Sequence, residues 1–462
     1  MFKKLIGSKQ FYKNVLTLMI PIMIQNGITN FVNMLDNVMV GRIGTVEMNG
    51  VAVANQLIFV FNLCIFGAVS GAGIFSAQYH GSGDREGVRD TFRFKVVSCL
   101  LLTLLGIGVF LGFGNTLSGL YLRGEGDPAE AAAALAFSRQ YMLVMLIGLI
   151  PYTIVQCYSS TLRETGKAKI PMYAGLLAVS VNLCLNYVLI FGHFGAPKLG
   201  VVGAAIATVT SRFVELAFIA GWTDKHKSEN PFIIGAFASL RVPKKLTKEI
   251  ILRGLPLMLN ETMWAMGMAF LNQCYSSRSL NVVGANNISS TFWNVFSVAF
   301  MAVGAAIGII LGQVLGAGKK EEARDTSWKL IAFSVTVSVV VGVVYFFAAE
   351  FIPQFYNTTD EIRLLATRIM QITAICMPLD AFANACYFTL RSGGQVMITI
   401  LFDSCFVWVI NIPVVLVLTY LTAMPILPLY AISQCLPLLK CCLGFVFVKK
   451  GIWIKNIVSE QA

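Results

Sequence analysis

Charge is what this sequence most lacks. Of 462 residues, 13% are Asp, Glu, Lys or Arg while 56% are hydrophobic, and a soluble domain carries roughly twice that charged share. A soluble fold of this length needs a charged skin, so the apolar excess must face lipid. No GxxxxGK(S/T) motif and no segment large enough for a soluble ATPase domain are present, so energy must come from an ion gradient or from the substrate's own gradient. No HExxH, paired-histidine cluster or nucleophile elbow is present either, which speaks against a membrane enzyme. None of the eleven cysteines forms a CxxC pair with a matching partner, which disfavours a disulfide framework and a zinc site. Cys64, Cys99, Cys157, Cys184, Cys274 and Cys376 lie in apolar runs and read as small packing residues. The opening MFKKLIGSKQFYKN lacks a small-residue cleavage site and reads as a cytoplasmic lead-in to the first helix.

What is present is a series of apolar runs, each long enough to cross a ~30 Å hydrocarbon core. They predict an all-α polytopic protein with twelve transmembrane helices, near 14–36, 50–76, 94–114, 134–157, 170–191, 200–222, 250–273, 286–311, 328–349, 363–387, 397–420 and 429–448. The net charge of +12 does not indicate nucleic acid, because the basic residues sit in short loops between spans. Twenty-six fall on one side of this arrangement and seven on the other, with Arg212 and Lys440 inside spans. The positive-inside rule places both termini in the cytoplasm. Hydrophilic residues 223–249 read as a cytoplasmic linker between lobes 1–222 and 250–462.

The halves repeat. A shift of 235 residues aligns Pro21 with Pro256, Asn37 with Asn272, Phe61 with Phe296 and Gly73-Ile74 with Gly308-Ile309. QYHGSGDREGVRDT (78–91) meets QVLGAGKKEEARDT (313–326) with seven of fourteen positions identical, where chance gives about one. Six spans per half make this a parallel repeat, with pseudo-two-fold symmetry about the membrane normal and transport sites expected near the midplane. The acids do not follow the register: Asp36 aligns with Leu271 and Glu261 with Asn26.

Asp36, Arg212, Glu215, Glu261, Asp380, Asp403 and Lys440 fall inside spans, each costing about 2.5–3.5 kcal/mol at a helix centre. Arg212 and Glu215 are three apart and predict a structural pair. Asp403 near a span end is expected to reach headgroups, and Lys440 to snorkel. Asp36, Glu261 and Asp380 have no opposite charge within a helical turn, so each is a candidate switchable site for a proton or cation. Asn182 and Asn186 share a helix face, as interhelical glue or as carbonyl ligands to an ion.

At these residues the chain resembles the MATE (multidrug and toxic compound extrusion) transporters. PIMIQNGITNFVNMLDNVMVGRIG (21–44) looks like the family's opening pattern, and GHFGAPKLGVVGAAIAT (192–208) is similar to its loop between the fifth and sixth helices. Asp380 ahead of Leu390-Arg391 looks like the tenth-helix aspartate, and NETMW (260–264) looks like the DinF-like branch. The resemblance implies two six-helix lobes and export of small organic cations or drugs by a monomer in the cell membrane. Alternating access exchanges them for H+ or Na+, with no other cofactor. It implies a first-lobe ion site of Asp36, Asn182, Asn186 and Thr208. A second-lobe site of Glu261 and Asp380 is carried over from the NorM-like branch. Some members carry an acid where Asn186 stands, which favours protons here. Glu261 sits about a turn early, and Cys376 stands where that branch has a tyrosine, both of which weigh against a sodium site of that kind. A flippase or exporter of a lipid-linked or metabolite substrate on the same scaffold is the rival reading, disfavoured by an interior whose candidate charges are mainly acidic.

Overall fold

The computed structural model describes residues 5–122 and 128–459, with the side chains of 33, 34 and 37 outside that description. Lys3, Lys4 and Arg123 of the charge count lie outside the described residues. Among the described residues the fold is helical, without strands.

Six helices fill the first half: α1 (Lys9–Gly41), α2 (Thr45–Ser82), α3 (Arg85–Tyr121), α4 (Pro128–Glu164), α5 (Lys169–Phe191) and α6 (Gly200–Lys225). The second half holds α7 (Lys244–Ser276), α8 (Leu280–Phe296), α9 (Val298–Gly316), α10 (Lys320–Phe351) and α11 (Asp360–Ser392), then α12 (Val396–Ile400), α13 (Ile412–Tyr420), α14 (Ile426–Cys435) and α15 (Pro437–Lys450). Three of the twelve expected spans are interrupted. Span eight breaks at Ser297 between α8 and α9, and span twelve at Leu436 ahead of Pro437, whose missing N–H cannot continue the ladder. Span eleven carries two π-helical turns, Leu401–Cys405 and Val407–Asn411, between α12 and α13. Among the described residues, eleven helical segments are long and apolar enough to cross a membrane. Helix α7, with 33 residues, supplies the twelfth span and carries more polar side chains, among them Asn260, Glu261, Thr262, Asn272 and Gln273.

Caps set several starts. Asp84 accepts from the backbone N–H groups of Glu86 (3.0 Å) and Gly87 (2.9 Å) at α3, and Thr359 from Ile362 at α11. Pro21, Pro151, Pro256 and Pro378 lie inside α1, α4, α7 and α11, the first and fourth spans of each half, where helix neighbours compensate the lost backbone bonds.

By packing, the chain forms two compact units. The N-terminal unit comprises Ile24–Ser76 and Asp84–Gly254; the C-terminal unit comprises Met1–Met23, Ala77–Gly83 and Leu255–Ala462. In the N-terminal unit the linker is docked rather than loose. Phe232, Ile233 and Ala236 are buried, and the Arg93 guanidinium donates to the carbonyls of Gly235 (2.7 Å) and Ala236 (3.0 Å). The same unit buries Lys95 completely, its ammonium donating to Glu164 (2.5 Å), Ser160 (3.0 Å) and Thr161 (3.2 Å) on α4. Lys95 therefore does not face headgroups as the charge count supposed: an ion pair inside the helix layer offsets its desolvation.

The C-terminal unit packs Tyr275, Phe300, Tyr345, Met377 and Tyr430 in one core, with Phe296 and Tyr345 stacked at 4.5 Å. Its α2 segment crosses the end of α9 at positions related by the 235-residue shift. A Cβ on Gly81 would strike the Gln313 carbonyl, and one on Gly316 would strike that of Gln78, so glycine at both positions permits the approach. The buried Gln78 amide donates to the carbonyls of Ser392 (3.0 Å) and Lys455 (3.2 Å) and accepts from the Ile457 N–H (2.9 Å). That stitches residues 451–459 onto the crossing, with Trp453 fully buried.

Candidate functional site

In the N-terminal unit, α1 carries Asp36, α5 carries Asn182 and Asn186, and α6 carries Thr208. The structure brings all four together. The Asn186 amide donates to Asp36 Oδ1 at 2.6 Å and to Asn182 Oδ1 at 3.2 Å, and the Asn182 amide donates to Thr208 Oγ1 at 3.2 Å. Thr208 passes its own proton to the Ala204 carbonyl (3.1 Å), which leaves its oxygen free to accept. Spacing by four residues puts both asparagines over one another on the face of α5 that meets α1 and α6. Both are buried, and the Oδ1 of Asn186 has no hydrogen-bond partner among the described residues. A buried carbonyl oxygen without a donor, one residue's width from a carboxylate, is an acceptor set suited to a cation.

Tyr141 and Asn55 are additions that the sequence did not single out. The Tyr141 phenol interacts with Asn55 and Thr208 and feels the Asp36 charge; a tyrosine buried in mid-span was the available signal, since its hydroxyl needs a partner there. Arg212 acts electrostatically on Asp36 from α6. Its guanidinium is paired with Glu215 at 2.8 Å and lies over the Tyr152 ring, 5.3 Å from its centroid, so it is a fixed and largely neutralised charge.

The C-terminal unit holds a second polar assembly. Glu261 of α7 accepts from the Tyr387 hydroxyl of α11 at 2.8 Å. Asn260, beside it, donates to Asp403 Oδ2 at 3.2 Å and toward the Tyr387 oxygen at 3.4 Å. Ser404, inside the first π-helical turn, donates from Oγ to both the backbone carbonyl and the Oδ1 of Asn260, each at 2.7 Å. Lys440 of α15 donates to Asp403 Oδ1 at 2.5 Å. Asp403 and Lys440 thus find each other instead of reaching headgroups or snorkelling separately, because an opposite charge inside the protein costs less than exposure to hydrocarbon.

Glu261 and Asp380 share the unit without a hydrogen bond between them, and Asp380 has no hydrogen-bond or salt-bridge partner among the described residues. Tyr387 was not foreseen. It stands seven residues after Asp380, two turns along the same helix face, and its hydroxyl goes to Glu261.

The MatE family model matches residues 21–188 and 256–417, one block in each half. A Thermotoga maritima protein named "Probable multidrug resistance protein NorM" is 25% identical over 457 residues, covering 97% of this chain and 94% of its own length. A Bacillus subtilis protein named "Probable multidrug resistance protein YoeA" is 25% identical over 459 residues, covering 96% and 95%. Among solved structures, MATE in the straight conformation superposes with a TM-score of 0.85 at 19% identity, covering 97% of both chains. A MOP superfamily transporter from Pyrococcus furiosus gives 0.84 at 18% identity, covering 97% of this chain and 98% of that one; at such identity both likenesses speak to the twelve-helix, two-lobe fold alone. With the family model matching both halves, the chain belongs to the MatE family, whose members are membrane transporters and not enzymes.

Proposed function

We propose that this protein is a secondary exporter of lipophilic organic cations or drugs, driven by H+ or Na+ re-entry, with cargo and ion exchanged at Asp36 of the N-terminal unit and at Glu261 and Asp380 of the C-terminal unit. The observation that carries this reading is the Asp36–Asn186–Asn182–Thr208 chain, whose Asn186 Oδ1 has no donor. A carboxylate held by one amide beside an unfilled acceptor holds either an organic cation or a small ion, and both cannot occupy it at once. The multidrug resistance names of the NorM and YoeA relatives support the substrate class.

In this reading the protein alternates between states open to opposite sides of the membrane, and both termini lie in the cytoplasm of a monomer in the cell membrane. An inward-facing state takes up the cargo; after the swing, an external cation neutralises the carboxylate and displaces it. Expelling a monovalent cation against an inside-negative potential costs ~2.3 kcal/mol per 100 mV, and the returning ion offsets that term. The test is ethidium transport in liposomes holding the purified protein, with ΔpH and ΔNa+ imposed separately. Transport driven by one of the two gradients is expected. Transport indifferent to both overturns the proposal.

A further inference from the structure

The sixth span of each half carries one base in the membrane, Arg212 on α6 and Lys440 on α15, but the two are held differently. Arg212 is paired with Glu215 on its own helix. Lys440 is paired across elements with Asp403, where span eleven is π-helical, and nothing on α15 binds its ammonium. Asp403 is bonded at 2.5 Å, and Glu261 and Asp380 both feel the Lys440 charge. Asp403 has a second donor in Asn260, and Glu261 has Tyr387; Asp380 has no bonded donor among the described residues. Arg391 is the other base acting on Glu261, and it is buried over the Phe388 ring at 5.5 Å. Other titratable neighbours are thiols and phenols, among them Cys376, Cys386, Cys441, Tyr387 and Tyr430.

We propose that Lys440 is a resident cation of the C-terminal unit, parked on Asp403 and competing with the transported or coupling cation for Glu261 and Asp380. Its flexible four-carbon stem suits a charge that changes partner, as a planar guanidinium does not. A cation arriving at Asp380 and Glu261 holds Lys440 on Asp403; when that cation leaves, Lys440 turns toward the vacated carboxylates and stops them drawing the same ion back. The π-helical widening at Leu401–Cys405 gives Asp403 room to keep or release its partner. Lys440 therefore acts as a positioning residue that sets the affinity of the acids without being transported. The inference rests on the coupled-export reading above.

Competition predicts opposite effects from the two members of one pair. Lys440→Met removes the competitor and should lower the half-saturating concentration of the driving cation by about tenfold. Asp403→Asn removes the parking place and frees Lys440 for Glu261 and Asp380, and should raise that concentration by about tenfold. The measurement is ethidium transport in proteoliposomes against a titration of whichever ion drives the wild type. If Lys440→Met fails to fold, the double variant Asp403→Asn/Lys440→Met removes both charges of the pair and should still show the lowered value. Shifts of the same sign in the two single variants, or no shift in either, overturn the competition, because a merely structural ion pair weakens both alike. A wild type indifferent to both gradients removes the coupled reading itself, and Lys440's role with it.

Discussion

Among the described residues Asp36 accepts from one amide, that of Asn186, which also reaches the next asparagine on the same helix face. Removing its charge should abolish exchange while leaving the fold in place, because an Asn at 36 still offers an oxygen to Asn186. Asp36→Asn is therefore expected to reduce ethidium export in liposomes to the level of protein-free vesicles, with unchanged expression and detergent stability. Export at wild-type rate would take Asp36 out of the exchange. Lys95 has the contrary character: fully buried, tied to Glu164, Ser160 and Thr161, and remote in sequence from every exchange residue. Lys95→Met should cost about 3–5 kcal/mol by stranding the Glu164 carboxylate, and Lys95→Met/Glu164→Gln should recover most of it. Thermal unfolding in detergent checks both. Equal losses in the single and double variants would mean that packing, not charge, holds this site.

At the scale of elements, the crossing of the α2 end with the α9 end joins the repeat to the packing. Gly81 meets the Gln313 carbonyl and Gly316 meets that of Gln78, so one contact is made twice by residues 235 apart. Gly81→Val or Gly316→Val should force the segments apart and cost about 1–3 kcal/mol each as overpacking. Because both act on one crossing, their combined loss should fall short of the sum. Detergent melting of the single and double variants reads this directly, and strict additivity would show the two glycines to be independent. The identity of QYHGSGDREGVRDT with QVLGAGKKEEARDT was visible in one dimension; that the glycines it preserves serve a close approach of backbones was not. The linker behaves likewise. Its polarity marked it as a connection, while the burial of Phe232 and the bonds from Arg93 depend on where α3 begins in space.

For the whole molecule, the asymmetry of 26 basic residues against 7 sets an expectation about topology. Reporter fusions at either terminus should be active for a cytoplasmic enzyme and silent for one that matures only outside. The same reporter after Lys198, on the poorer side, should behave in reverse. A matching signal from all three sites would refute the orientation. The dependence on ΔpH or ΔNa+ belongs to this scale too, since only a closed vesicle defines two sides.

Twelve spans, the two-fold repeat and the mid-span acids were legible in the sequence alone, because each is a one-dimensional property: the length of an apolar run, a register of identities, a charge where none is affordable. The MatE family match followed from the same linear order. Only the tertiary structure decided which charges meet. Lys95 found Glu164 69 residues away, Lys440 found Asp403 37 away, and Glu261 found Tyr387 126 away. Partner choice depends on how far each helix is rotated and where it crosses its neighbour. Those angles emerge from many small packing contacts, none of which is written at the position of the charge it serves.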